Sequence, residues 1–231
     1  MIKGFGILET IIALSLALGI LAVVVAHVTD TARVTKKVAS NQEKLETIFH
    51  AVDSIKSDLN KCGMLLQEAA AAFGLTFFES SRSGFKATFG LSAEDMETEA
   101  FAGDERLRLD GNPFFKKNKK VLIYNLDLRL WETNEILETA GSDVILKKKL
   151  QHDYARHSVA VALKEVSYQF YSRQGILKRK TDNGTFQPLL EGVSDFFVTF
   201  FPDSSAVLYR IEVARKEQIR GYVFLLNLVQ P

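Results

Sequence analysis

An apolar segment near the start of the chain constrains the fold more than any other feature. Residues 5–28 are apolar except for the side chains of Glu9, Thr10, Ser15 and His27. A helix rises 1.5 Å per residue, so a helix of this length spans a bilayer core, which is about 30 Å thick. The sequence therefore predicts one transmembrane helix over residues 5–28.

Glu9 is the one acidic side chain in this segment. An ionised carboxylate inside a helix costs on the order of 2.5–3.5 kcal/mol at the bilayer centre, and less near an interface, unless a partner offsets its charge. Residues 10–26 contain no Lys, no Arg and no second acid, and His27 lies about 27 Å further along the helix. The sequence therefore predicts that the partner of Glu9 comes from elsewhere than this helix.

A short basic leader ends in Gly4 and is followed by Phe5, Leu8 and Glu9, directly before the apolar helix. This order resembles the class III signal of type IV pilins and pseudopilins. In that family a prepilin peptidase of the inner membrane cuts after the glycine and methylates the new N-terminal phenylalanine. The resemblance implies cleavage between Gly4 and Phe5, N-methylation of Phe5, and subunit assembly through Glu9, which would face the α-amine of an adjacent subunit. Gly6 departs from the Thr or Ser common at that position.

Other kinds of N-terminal segment agree less well with the residues at the start of this chain. A secretory signal peptide has an apolar core of about 7–15 residues and a small-x-small cleavage site, whereas this run is longer and ends at residues 24–27 without such a site. A lipoprotein anchor needs a Cys just after the apolar run, and the chain has only Cys62. A plain signal-anchor for an unrelated binding or enzymatic domain stays open, and it leaves Glu9 unexplained.

The helix is predicted to continue beyond the membrane, because no Pro or Gly follows Val28 until Gly63. Apolar residues recur there at spacings of three and four and form one helical face, with Asp58 among the charged residues assigned to other faces. The members of this stripe are Leu45, Ile48, Val52, Ile55 and Leu59. The predicted organisation is a leader at 1–4, a transmembrane helix at 5–28, an amphipathic helical stalk at 29–62 and a periplasmic domain at 63–231. A short second helix is predicted over residues 64–73, ending at Gly74.

The rest of the chain reads as loops and strands. Residues 75–109 are predicted to be loosely structured, with a turn at residues 80–84 and a solvated acidic insertion at residues 94–105. A turn at residues 110–113 and a basic loop at residues 116–120 follow. Strands are predicted over 121–130, 143–149, 166–171, 176–181, 193–201, 207–215 and 220–229. The predicted fold class is α+β, a long N-terminal helix packed on a C-terminal antiparallel sheet, as in pilins.

The charge, the cysteine count and the motifs of the chain limit the functions that it can have. The formal net charge is +1, so there is no electrostatic case for nucleic-acid binding. A single Cys excludes an internal disulfide. No catalytic set, cofactor motif or metal site is predicted: His152, Asp153 and His157 lie close in sequence, but that spacing places them on neither one helical face nor one strand face. The chain is therefore expected not to be an enzyme.

Three further segments resemble the J-type minor pseudopilins of type II secretion: residues 52–64, residues 175–179 and residues 189–201. The first of them also resembles the W-type minor pilins of type IV pili. The resemblance implies an initiating or tip subunit of a periplasmic pseudopilus, with its N-terminus in the cytoplasm and its domain in the periplasm. The implied partners are other pseudopilins or minor pilins, the prepilin peptidase, an inner-membrane assembly platform with its ATPase, and membrane lipid. A W-type minor pilin of a type IV pilus and a competence pseudopilin remain alternatives of the same class.

Overall fold

The computed structural model describes residues 6–109, 113–213 and 217–227, without the side chains of Ile7, Leu8, Asp203 and Glu217. The chain forms two compact units, Met1–His50 and Ala51–Pro231. The first helix, α1, runs through both, from Ile7 to Lys61. The predicted turn at 110–113 falls mainly outside the described residues.

The bounds of α1 follow from the sequence. Glu9 lies in its first turn and Lys61 in its last turn, where each charge complements the helix dipole. The helix stops before Gly63, whose φ of 75° is a left-handed conformation that glycine adopts without steric cost. The prediction of one continuous helix ending at Gly63 is confirmed.

The C-terminal part of α1 buries one face. Val52, Ile55 and Leu59 from the predicted stripe are buried, together with Ala51. Leu45 is 49% exposed, so the prediction is wrong for that residue. Periodicity identifies the residues that share a helical face, but it does not tell how far along the helix the covering elements extend.

A second helix, α2, spans Gln67–Phe73 and ends at Gly74, which has a φ of 64° and donates its N–H to Ala70 O. This confirms the predicted second helix, which starts three residues later than expected. Leu66, Ala69 and Ala70 pack against Leu122 and Val161 of the neighbouring sheet. The helix therefore covers one face of that sheet.

The described part of the second unit contains twelve strands. Their bounds are β1 Phe78–Ser81, β2 Gly84–Asp95, β3 Arg106–Arg108, β4 Lys120–Asn125, β5 Leu130–Ala140, β6 Asp143–Leu146, β7 Val159–Tyr171, β8 Ile176–Thr181, β9 Gln187–Glu191, β10 Val193–Phe201, β11 Ala206–Val213 and β12 Glu217–Phe224. A 3₁₀ turn at Pro202–Ser204 joins β10 to β11.

The described strands form two antiparallel sheets. The larger has the order β1-β2-β7-β4-β5-β6-β3, with β8 added beside β7 and β9 beside β8; the smaller has the order β10-β11-β12. Aromatic rings pack where the two sheets meet: Phe78 lies 5.2 Å from Phe200, and Phe85 lies 6.5 Å from Phe196. The α+β layout, a long apolar N-terminal helix followed by antiparallel strands, agrees with the sequence prediction.

Within residues 75–109 the predicted turn at 80–84 is confirmed, since it joins β1 to β2, but the prediction of a loosely structured region is wrong. β2 occupies the middle of this region and pairs with β7 along its whole length, apart from one register shift between Gly90 and Ser92. Both faces of β2 are covered in its middle, because Ala87 and Phe89 are buried on one face and Thr88 and Gly90 on the other. The alternation that marks a half-exposed strand is therefore lost. The local sequence of β2 therefore does not indicate a strand, and only its pairing with β7 identifies one.

Two other strand predictions need correction. The predicted strand 121–130 is interrupted by a turn, and β5 follows that turn as an unpredicted strand. β7 begins at Val159, seven residues earlier than predicted, because β4 pairs with its first half. The hairpin of β7 and β8 and strand β10 agree with the prediction.

Cys62 lies at the end of α1 and is fully buried. Its Sγ donates a hydrogen bond to Phe77 O at 3.2 Å. Burial raises the pKa of the thiol to about 12, despite a backbone hydrogen bond from Thr88 that lowers it.

Cys62 should therefore resist alkylation in the folded chain. The reactive species is the thiolate, and a pKa near 12 in place of 9.0 lowers its population at pH 8 by about a thousandfold. We expect iodoacetamide labelling, followed by intact mass, to be slower than in 8 M urea by about that factor. Equal labelling rates with and without urea would show that this end of α1 is open.

Candidate functional site

The apolar part of α1 is exposed along its whole described length. Its large side chains, from Ile11 to Val28, are each half exposed or more. By length and composition this is one helix that could cross a membrane. Ser15 donates its hydroxyl to Ile11 O at 2.8 Å, so this polar group is satisfied within the helix and is compatible with lipid.

Glu9 is also exposed. One carboxylate oxygen, Oε2, accepts a hydrogen bond from Gly6 N at 3.1 Å, as an acid does at a helix N-terminus. Within the described part of the chain no cation lies within ion-pair distance of it. A carboxylate with one backbone donor and an apolar surrounding surface can still accept a positively charged partner. Gly4 and Phe5, the predicted cleavage and methylation positions, lie outside the described residues.

A second polar cluster fixes the end of α1 on the larger sheet. Asp58 is 5% exposed and accepts hydrogen bonds at Oδ2 from Tyr168 Oη at 2.6 Å and from Arg179 Nε at 2.9 Å. A second guanidinium nitrogen of Arg179 also lies 2.9 Å from this oxygen. The sequence analysis placed Asp58 on a charged outer face, and that assignment is wrong: the carboxylate is buried because β7 and β8 bring it two donors.

The surroundings of the cluster shift two of its pKa values. Burial raises the pKa of Tyr168, and the hydrogen bond to Asp58 raises it further. Burial alone would lower the pKa of Arg179, but its interactions with Asp58 and Tyr168 outweigh that effect and the net shift is upward. The arrangement keeps Tyr168 neutral and Arg179 charged, which suits a fixed structural link.

The charged segments that the sequence assigned to solvated loops are partly engaged. In the basic segment, Lys119 pairs with Asp182, and Lys120 Nζ lies 2.8 Å from a carboxylate oxygen of Glu165. In the acidic segment, Asp104 accepts the backbone N–H of Phe101. Arg108 also pairs with Glu97 at 3.2 Å. These charges stabilise loops and strand ends within the domain.

The histidine group that was considered for metal binding has structural contacts of its own. The carboxylate of Asp153 accepts Ala102 N at 2.7 Å, and the ring of His152 lies edge-on to Tyr154. Within the described residues no group of three or more metal-ligand side chains is gathered.

Sequence reasoning found Glu9 but missed Tyr168 and Arg179 as partners of Asp58. The only local signal was an acid next to Leu59 of the apolar stripe, and such an acid is usually solvated. Comparison of the chain with protein-family models, with curated proteins and with solved structures gives no match.

Proposed function

We propose that this chain is a minor pseudopilin of J type, an initiating or tip subunit of the periplasmic pseudopilus in type II protein secretion. The observation that carries the proposal is Glu9, a single acid at the start of an exposed apolar helix, without a cationic partner among the described residues. The long helix followed by an antiparallel α+β domain supports it, because this is the layout that the resemblance implies.

In this proposal the apolar part of α1 holds the subunit in the inner membrane before assembly, with the N-terminus in the cytoplasm and the C-terminal domain in the periplasm. A prepilin peptidase cuts between Gly4 and Phe5, and it methylates the new amino group. Glu9 then accepts the positively charged α-amine of a neighbouring subunit. An ammonium and a carboxylate attract strongly in a low-dielectric environment, and either is penalised when unpaired, so the pair sets the axial register between subunits.

The chain supplies no energy for assembly in this mechanism. Other pseudopilins or minor pilins are its lateral partners, and an inner-membrane platform with its ATPase drives the filament outward. A W-type minor pilin or a competence pseudopilin would use the same chemistry at Glu9. The kinds of neighbouring pilin-like genes would distinguish these machines.

Processing of the N-terminus is the first test. When the chain is expressed with its native prepilin peptidase, we expect loss of residues 1–4 and one added methyl group on Phe5. Intact mass and N-terminal sequencing measure both changes in one sample.

A Gly4→Val variant is the matched control, because a branched side chain at the cleavage position should block the cut and leave Met1 in place. An unprocessed wild-type chain in the presence of active peptidase would contradict the proposal. The chain would then be a membrane-anchored domain of another class.

A further inference from the structure

Most free sheet edges of this domain carry a feature that discourages pairing with another strand. The edge strands β1 and β3 are only four and three residues long. β9 contains Pro188 and shifts register against β8. β10 shifts register between Val193 and Asp195.

The remaining edge, β12, carries none of these features. It extends over eight residues, contains neither Pro nor Lys, and pairs with β11 without a register shift. No strand lies on its other side within the described residues. A long, regular edge of this kind is a template for a further strand.

The hydrogen-bond alternation of an antiparallel pair shows which groups are free. Leu225 N donates to Ser205 O at 2.7 Å, in the same register as the β11–β12 ladder. The residues that bond to β11 are therefore the odd-numbered ones, and the backbone N–H and C=O groups of the even-numbered residues point away from the sheet. These are Gln218, Arg220, Tyr222 and Phe224.

The same even-numbered residues place their side chains on the outer face of the small sheet. Tyr222 is 66% exposed and Phe224 is 60% exposed, and Phe197 and Phe201 of β10 lie on the same face. These four aromatic side chains give the outer face of the small sheet an apolar character around Tyr222 and Phe224. The unpaired edge of β12 is therefore adjacent to the exposed outer face of the small sheet.

We infer that β12 pairs with β12 of a second copy of this chain, antiparallel and around a two-fold axis at Gly221. Both strands must present their free backbone groups, so even-numbered residues stand opposite even-numbered residues. In the register centred on Gly221, Arg220 lies opposite Tyr222 of the second copy, and the two strands overlap from Gln218 to Phe224. A joined sheet of six strands results.

The side chains favour this register over its neighbours. Arg220 opposite Tyr222 allows a cation–π contact, and it occurs twice because of the symmetry. On the inner face Ile219 meets Val223, and the Tyr209 ring already covers Gly221, leaving no room there for a Cβ. A register centred on Arg220 sets two guanidinium groups against each other, which is destabilising. A register centred on Tyr222 shortens the ladder.

In the joined sheet the outer faces of the two copies lie side by side and stay in solvent. The pairing is therefore held by the added backbone ladder and by the side chains that stand opposite each other along it. The inference stands on the β12 edge alone and does not depend on the proposed function, because neither Glu9 nor N-terminal processing takes part in it.

Cysteine cross-linking of the full chain in detergent micelles tests the register. One sample mixes Arg220→Cys with a mass-tagged Tyr222→Cys, and the other samples hold each variant alone. Directly opposite positions lie within disulfide reach, while the diagonal pairs 220–220 and 222–222 lie about 7–8 Å apart, so we expect mixed dimers to form about tenfold faster than either homodimer.

The wild-type chain, whose buried Cys62 is its only thiol, should give no cross-link. Gln187→Cys on the proline-bearing edge strand β9 is the matched control, and it should give no cross-link. Equal rates for mixed and single samples, or a chain that remains monomeric, would overturn the inference; capture of a different protein's strand by this edge would also overturn it.

Tyr222→Pro gives a second measurement that does not depend on thiols. Proline is tolerated on an edge strand where its N–H would face solvent, so the fold is kept while one donor of the added ladder is lost. We expect the dimer fraction in sedimentation to fall about tenfold, with Cys62 still protected from alkylation. An unchanged dimer fraction would refute pairing through β12.

Discussion

Glu9→Ala is expected to leave membrane insertion intact and to reduce incorporation of the subunit into a filament by about tenfold or more. The variant makes the helix more apolar, so the membrane-bound amount should not fall. It leaves the α-amine of the adjacent subunit without its carboxylate in an apolar setting, and a loss of about 1.4 kcal/mol already corresponds to tenfold. Membrane fractionation and recovery of sheared filaments measure the two quantities separately.

Ser15→Ala is the matched control for this experiment. Ser15 is a polar residue of the same apolar helix, but its hydroxyl bonds only to Ile11 O, so its loss should not affect assembly. Normal filament incorporation of Glu9→Ala would contradict the proposed function. Incorporation lost together with N-terminal cleavage would indicate a processing defect, which the intact mass of the membrane-bound chain reveals.

Asp58→Ala is expected to destabilise the C-terminal domain by about 3 kcal/mol. The carboxylate is 5% exposed, and its removal leaves Tyr168 and Arg179 without their shared acceptor. Arg179 keeps partial access to solvent, which reduces the cost relative to a fully buried ion pair. Urea unfolding of the full chain in detergent measures the change in unfolding free energy. The alkylation of Cys62 at each urea concentration reports the unfolded fraction.

Two variants calibrate that result. Asp53→Ala removes an exposed acid from the same helix and should change stability by less than about 0.5 kcal/mol. Tyr168→Phe removes the hydrogen bond to Asp58 and the longer one that Tyr168 Oη accepts from Arg179 Nε at 3.1 Å. It leaves the Asp58–Arg179 pair in place, so a loss of about 1–2 kcal/mol is expected. If Asp58→Ala matched Asp53→Ala, the buried cluster would not anchor α1.

The elements predicted well are those whose signals are local. α1 could be bounded from its unbroken helical pattern and from Gly63, and α2 from Gly74. The β7–β8 hairpin carried its turn residues around Gly175. Glu9 was found in the same way, because a charge in an apolar run contradicts its immediate neighbours.

Elements that depend on distant partners were missed. β2 lost its alternating pattern because packed layers cover both of its faces, and its ladder partner β7 lies more than sixty residues away along the chain. Asp58 looked like an ordinary charged residue because its two donors follow it by 110 and 121 positions. No pattern within a window of neighbouring residues contains such pairings.

The sequence by itself determined the N-terminal helix, its apolar and amphipathic parts, the oddity of Glu9 and the α+β class. These depend on the spacing of side chains along one helix and on residues that stop it, and such effects act within a few positions. Only the tertiary structure decided that Asp58 is buried, that β2 lies beside β7 and that β12 is left with a free edge. Burial and strand pairing are set by chain segments that meet only when the whole domain folds.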